Sequence, residues 1–483
     1  MLAKLILCAS MVLQLPGQTV DEEMAAHGRA AQAAEQRNDF PTAVREYEYL
    51  THLLPQNAEM HSNLGVALYF NQETTRAISV LRKAISLNSD LLAPHLFSGL
   101  AWYRLSNPDA AVPMLEQATR INPSDVLAHT WLGYAYVAQL RYQDALREFQ
   151  TACQLDPNNI DVWYALGQSH LQIGNGMTLL LLSTAPDGGR TWQLAGEQFQ
   201  LRGNSQNALA LYQQALERRP DIPELRKLVT EMGGELSENS LPQPADTNRE
   251  DELYRRAHDE ERKAQESFQR VLQIAPDSYR AHQIMADALA AEERLDDAIE
   301  EYRAVLKLKP DLPGIHEAIG NNLLRAGKLA ESLQEYKLEL NRQPRSATAN
   351  TNVGRVLLLM GNDSAAEKAL SRALTQDRPP AEIYKLFGKV NLTQHHYQTA
   401  ITHLTRYLSM MPNDASAYYL LMRAYRAVGD VEHATQASEL YERASQDAKG
   451  RSRAQKALES FRRQDQPPEG TEEKGQPTPQ PLQ

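Results

Sequence analysis

The sequence predicts an all-α chain, a right-handed superhelical solenoid of about twelve helix–turn–helix units in two arms, and three observations carry that expectation. First, prolines that close helix-like stretches recur with a period of 34: Pro55, Pro123 and Pro157, with Ser89 in the missing slot, then Pro276, Pro310, Pro344 and Pro412, with Arg378 in the vacant slot and Pro379 behind it. Second, His27, His61, His95 and His129 share the fourth position of successive units, and Ala43, Ala77, Ala111 and Ala145 share the twentieth. Positions four, seven, eight and eleven fall on one helical stripe, because steps of three and four return to the same face. Third, small residues at positions eight and twenty let two helices approach, and Tyr47, Phe149, Tyr302 or Tyr336 at position twenty-four fills the space between them. Each unit buries its apolar face only against its neighbours.

Taken in chain order, residues 1–20 have Lys4, an apolar run from Leu5 to Leu15 and then Pro16-Gly17, the layout of a secretory signal peptide. The expectation is an exported, periplasmic or secreted protein; a mis-assigned start codon would instead make it cytoplasmic. Residues 24–233 form a first array, whose shortened unit at 160–188 is its least regular. Pro157 and Pro186 are only 29 apart there, and residues 161–223 recur at an offset of 90 in residues 251–313, so a shortened repeat occurs twice by duplication. Residues 234–249 hold two prolines and no apolar periodicity, and read as a linker or hinge. A second array at 250–448 is followed by a basic helical extension at 449–463 and a disordered tail at 464–483, rich in Pro, Gln and Glu.

Composition excludes several classes of function. Fifty Lys and Arg against 61 Asp and Glu leave a net charge of −11, so the chain as a whole does not attract a polyphosphate backbone, and no nucleic-acid partner is expected. Cys8 and Cys153 are the only cysteines, too few for a disulfide framework or a four-cysteine zinc site. No stretch reaches the roughly 20 apolar residues of a membrane span.

Leu64-Gly65, Leu132-Gly133 and Tyr136 complete a first-helix pattern that resembles the tetratricopeptide repeat family, matched best by residues 126–159 and extending over about residues 24–448. The resemblance is to an exported, bacterial-type member. It implies a generic interaction scaffold whose first helices line a concave groove with positions two, five, six and nine. The carboxylate clamp of some chaperone-binding members is lost here, because its five positions hold Glu317, Asn321, Asn352, Glu382 and Leu386.

No catalytic residue, metal ligand or cofactor site is expected. The position-four histidines, His282 and His316 among them, lie one repeat apart and read as core packing rather than as ligands of one ion. Gly320 to Lys328 has six residues between its glycines where a phosphate loop needs four, and HExxH, CxxC, GxSxG and GxGxxG are all missing. What remains is the groove. Its third to fifth units present Leu96, Phe97, Leu100, Leu127, Trp131, Tyr134 and Tyr164, a contiguous apolar face of the kind that marks a partner surface, with Phe97, Leu100, Trp131, Tyr134 and Tyr164 as its core. Farther on, the same face carries Arg355, Lys385, Lys389 and Arg423, a basic stretch suited to an acidic segment. The expected function is a non-catalytic scaffold or adaptor that holds protein or peptide segments in an exported assembly. The alternative is a regulatory or substrate-docking subunit of a glycosyltransferase or protease encoded on another chain.

Overall fold

The computed structural model describes residues 16–236, 247–344, 346–375 and 379–450. Residues 1–15 of the predicted leader, 237–246 of the predicted linker and everything from 451 onward, which takes in the tail and most of the 449–463 extension, lie outside the described residues.

Among the described residues there are twenty-three helices and no strand. Four hairpins come first: α1 (Pro16–Gln36) with α2 (Phe40–Leu53), α3 (Ala58–Phe70) with α4 (Thr74–Leu87), α5 (Leu92–Arg104) with α6 (Pro108–Ile121), and α7 (Val126–Ala138) with α8 (Tyr142–Leu155). A long helix α9 (Ile160–Thr184) precedes the hairpin of α10 (Gly189–Leu201) and α11 (Ser205–Arg218), the short α12 (Pro223–Glu231) and a second long helix, α13 (Thr247–Ile274). Five more hairpins follow: α14 (Tyr279–Ala291) with α15 (Leu295–Leu308), α16 (Ile315–Arg325) with α17 (Leu329–Arg342), α18 (Ala347–Leu359) with α19 (Asp363–Leu374), α20 (Glu382–Thr393) with α21 (Tyr397–Met410), and α22 (Ala415–Ala427) with α23 (Val431–Gly450).

Seven of the ten hairpins are built on one contact, and α1, α14 and α22 carry Ala31, Ala286 and Met422 in place of its glycine. The position-eight glycine of the first helix lies against the large position-twenty-four side chain of the second, sixteen residues later: Gly65 on Leu81, Gly99 on Leu115, Gly133 on Phe149, Gly196 on Tyr212, Gly320 on Tyr336, Gly354 on Leu370 and Gly388 on Leu404. There is no room for a Cβ at these glycines; one at Gly133 would meet Phe149 Cε1 at 2.6 Å, and the Phe149 ring is fully enclosed. The two helices are joined by three residues, of which the middle one is left-handed: Asn38, Gln72, Ser106, Leu140, Glu293 and His395 have φ of 56–65°, and Gly203, Gly327, Gly361 and Gly429 hold the same place. Asp, Asn and Ser side chains start many of the helices by accepting a backbone N–H, as Asn57, Asn107, Asp125, Asn204, Ser278, Ser346 and Asp414 do.

The duplicated short repeats depart from this rule for a physical reason. At 29 residues instead of 34, each lacks the residues a turn needs, so its two helical halves run on as one helix, α9 or α13, and neither can fold back on itself. The halves are exchanged between the copies instead. Gly167 of α9 lies against Phe268 of α13, 101 residues away where sixteen is the rule, an excess of 85. His170 Nδ1 meets Glu260 Oε2 at 2.6 Å beside them, and Ala264 fills position twenty at zero exposure. The complementary halves pack together as well: Leu181 and Leu182 of α9 share an enclosed cluster with Leu253 and Tyr254 of α13, alongside Trp192, Leu211 and Tyr212 of the intervening hairpin. Pro157 and Pro276 are 119 residues apart, one period of 34 plus the same 85, which is why the proline clock resumes in phase.

The chain accordingly divides into two compact units, Met1–Ile173 with Glu260–Arg270, and Gly174–Asp259 with Val271–Gln483. This corrects the division expected at 234–249: the chain crosses between units inside α9 and α13, and residues 247–249 of the expected linker are helical. The second unit pins the first half of α13 with buried charge. Arg219 donates to Asp221 and Asp251 at 2.9 Å each, Arg190 Nε donates to Asp251 at 2.6 Å, and the enclosed Glu250 accepts the Arg190 backbone N–H.

The exchange predicts a long-range coupling. Gly167→Ala places a Cβ 2.5 Å from Phe268 Cε1 and should destabilise by about 1–3 kcal/mol, the usual range for overpacking. In Gly167→Ala/Phe268→Ala the clash is gone, so the combined loss in denaturant unfolding should fall short of the sum by at least about 0.5 kcal/mol. Strict additivity would mean that the two residues do not touch.

Candidate functional site

In the first unit, aromatic rings of successive first helices, with Phe40 of α2 and Phe149 of α8, make two contiguous runs. Phe40 stacks on Phe70 at 5.1 Å between centroids, Phe70 meets Phe97 edge-on at 5.6 Å, and Tyr69 meets Phe97 at 5.5 Å. Arg104 lies over Tyr69 at 3.7 Å and donates to its carbonyl at 2.8 Å. The second run is Tyr103 against Trp131 at 5.3 Å, Trp131 against Tyr134 at 5.6 Å, and Tyr134 against Phe149 at 5.3 Å. Edge-to-face rings at these separations are mutually supporting and hold each other's rotamers. Phe97, Trp131, Tyr134 and Tyr164 are all half-buried, with one part of each ring in the packing and another at the surface. Tyr164 belongs to neither run; its ring neighbour is Phe268, at 5.8 Å.

Two groove residues read from the sequence are misplaced. Leu96 and Leu100 are each only 5 % exposed, so neither lines a surface. They lie a turn apart on α5, which packs on α3 and α7, and the seam between adjoining first helices closes over these shorter side chains. In their place the structure adds Phe70, 46 % exposed, and the half-buried Tyr103. Both stand at positions twelve and thirteen, one turn beyond the four positions scanned, and extending the scan along the same helical face would have found them.

The basic stretch of the second unit is partly spent internally. Arg355 is buried and its guanidinium is hydrogen-bonded to Glu382 of the next first helix, and Lys385 Nζ donates to Asp414 Oδ2 at 2.9 Å. Burial works to raise Asp414, but Lys385 and the Ser416 and Tyr407 hydroxyls outweigh it and hold the carboxyl at about 2. Lys389 and Arg423 are exposed, Arg423 with its guanidinium 5.9 Å from the Tyr419 ring centre. The four-residue patch is therefore two outward cations beside two internal ion pairs, a pairing that the one-position-per-unit reading could not register.

The position-four histidines are polar staples rather than apolar core. His27, His129, His282 and His316 each set Nδ1 against a glutamate nineteen residues on, Glu46, Glu148, Glu301 and Glu335, at 2.5–2.7 Å. Nε2 of His61, His95 and His129 meets the carbonyl six residues earlier, at 2.9–3.0 Å. Trp163 and Asn350 do the same from that position, and Thr191 from the position before it, so the side chain there ties the first helix to the preceding turn whatever its chemistry. No group of three or more His, Cys, Asp or Glu side chains among the described residues is arranged to hold a metal ion.

His129 uses both nitrogens on acceptors, a carboxylate and a carbonyl, so it is the imidazolium that fits this site. The Glu148 hydrogen bond, opposed by partial burial, raises its pKa above the ordinary 6.5. A raised folded-state pKa stabilises fully below the unfolded value and loses that contribution as pH rises through the folded one. Glu148→Gln should therefore cost about 1.5 kcal/mol at pH 5.5, the scale of a charged hydrogen bond, and progressively less toward pH 9 in denaturant melts. A gap independent of pH would contradict the staple's charge.

Two family profiles match the chain: one described as TPR repeat, at residues 136–174 and 286–327, and one described as Tetratricopeptide repeat, at residues 29–90 and 317–382. Among solved structures, PilF of Pseudomonas aeruginosa is 19% identical over 41% of this chain and 89% of its own, with a TM-score of 0.36. A MamA fragment from Desulfovibrio magneticus RS-1 is 18% identical over 41% of this chain and 97% of its own, at 0.29. The APC/C hetero-tetramer Cut9-Hcn1 is 15% identical over 91% of this chain and 96% of its own, at 0.35. No curated protein matches. No helix among the described residues is long and apolar enough to cross a membrane.

Proposed function

The chain is a tetratricopeptide-repeat protein, and from that premise we propose that it is a non-catalytic scaffold that holds segments of other proteins against the faces of its first helices. The observation that carries the reading is the aromatic run of the first unit, in which Trp131 is braced between Tyr103 and Tyr134 yet stays partly exposed. A surface of rigid, partly exposed rings gives a bound segment contact area at little entropic cost, and Trp and Tyr dominate binding hot spots. Leu127, 45 % exposed one turn before Trp131, extends that surface. In the second unit, Lys389 and Arg423 offer charge to an acidic segment. The leader pattern at Lys4 and Leu5–Leu15 supports placing the scaffold in an exported assembly.

Peptides selected from a random display library on the intact chain provide the test. Trp131→Ala should weaken them about thirtyfold, since a hot-spot truncation costs about 2 kcal/mol and each 1.4 kcal/mol is a factor of ten. Helix content and melting temperature should stay near wild type. Unchanged affinity, or a large fall in melting temperature, would show that Trp131 is a packing residue and overturn the groove reading.

A further inference from the structure

Position twenty-seven of the repeat is fully enclosed in many of the second helices. Ala84, Ala118, Ala152, Ala215, Val305 and Ala373 occupy it at zero exposure. In α17 the same position is Glu339, 2 % exposed. Glutamate is almost never buried so completely unless it is paired, because removing a carboxylate from water is expensive. Its Oε1 accepts the backbone N–H of Gly314, at the start of α16, at 2.9 Å, while its Oε2 is enclosed and makes no hydrogen bond among the described residues.

Among the described residues of the same repeat, no cation pairs with this oxygen. One turn into α16 stands Glu317, half-buried and of the same sign; burial, and then the charge of Glu339, push its carboxyl up to about 7. Asn321, one further turn along the same helix face, accepts the Tyr336 hydroxyl at 2.7 Å and Asn352 Nδ2 of the adjoining first helix at 3.4 Å. Arg355, the cation on that adjoining helix, is committed to Glu382. The arrangement is a buried carboxylate oxygen and a second, more accessible carboxylate, bordered by an amide, with no cation paired to either among the described residues.

We propose that Glu317 and Glu339, with Asn321 beside them, form a subsite for the guanidinium of an arginine in a bound peptide segment. A guanidinium is planar and carries five N–H donors, so one group can serve two carboxylates together, whereas an ammonium is a compact point charge that dehydrates less readily. The subsite deepens the scaffold reading by naming a chemistry for the second unit's partner, and it rests on that reading in taking the first-helix face as the peptide-binding face. It also assigns Glu339 a purpose that packing does not, since every other enclosed residue quoted for that position is small and apolar.

The test uses the full chain and a fluorescein-labelled octapeptide of alternating arginine and alanine, with a counterpart in which citrulline replaces arginine. Citrulline keeps the planar shape and removes the charge. Binding read by fluorescence anisotropy should fall at least tenfold for the citrulline peptide and at least tenfold for Glu317→Gln, a half-buried position that tolerates the change. Glu300→Gln, an exposed glutamate of α15, removes the same unit of charge and should bind as wild type does, which separates a subsite from the general attraction of a cationic peptide to an acidic chain. Glu339→Gln should weaken binding too, and a melt of that variant shows whether it is folded. Equal binding of the two peptides, or wild-type affinity in Glu317→Gln, would overturn the proposal and leave the two carboxylates as a pair that merely shares a proton. If that happened while Trp131→Ala still lost its selected peptides, the groove reading would stand and only the subsite would fall.

Discussion

The fit of a glycine on one helix against a large side chain on the next fixes how closely the two helices of a repeat approach, and the rest of the molecule follows from it. Because interiors are packed at crystal density, a contact with no room for one more carbon sets the geometry of the whole hairpin. The left-handed turn residue, the helix caps and the position-four staple all serve to bring that pair into register. Where the turn is deleted, as in the two 29-residue copies, the contact still forms: Gly167 finds Phe268, and the cost is a chain closure of 101 residues instead of sixteen. Loop-closure entropy grows only logarithmically with length, so a detour of this size is thermodynamically mild.

Much of this was legible in the sequence because the repeat samples the same physics many times. The period of 34, the small residues at positions eight and twenty with a large one at twenty-four, and the duplication at an offset of 90 were all read from residue identities. The exchange of halves was not, since α9 and α13 have equivalent contact residues and a linear reading cannot tell which half closes on which. The missing signal was arithmetic: a repeat five residues short has no turn. The same kind of blindness affected the sites. Leu100 and Trp131 look equally apolar as letters, but only the larger ring reaches past the seam between first helices. Arg355 and Lys385 read as a charged face until their partners, Glu382 and Asp414 on neighbouring units, are seen beside them.

Within the second unit, polar chemistry is concentrated at positions that are apolar elsewhere. Glu339 stands where most other units have alanine, and Glu317 and Arg355 stand on a face that is aromatic in the first unit. Repeat arrays tolerate such local departures because each unit's stability depends on its immediate neighbours, so a costly buried charge is absorbed by one interface rather than by the whole chain. A scaffold of this type can therefore carry different recognition chemistries at different places along one chain.

The account depends most on the claim that helix α9 is closed by α13 across the intervening hairpin. A chain with His170→Cys and Glu260→Cys, and with Cys8 and Cys153 replaced by serine, would be treated with a short bis-maleimide and digested. The structure places these two side chains in hydrogen-bond contact, so the account predicts one intramolecular cross-linked peptide pair joining residues 170 and 260, formed in the monomer at dilutions that suppress intermolecular reaction. Recovery of the two peptides unlinked, in a chain that keeps its helix content, would contradict it.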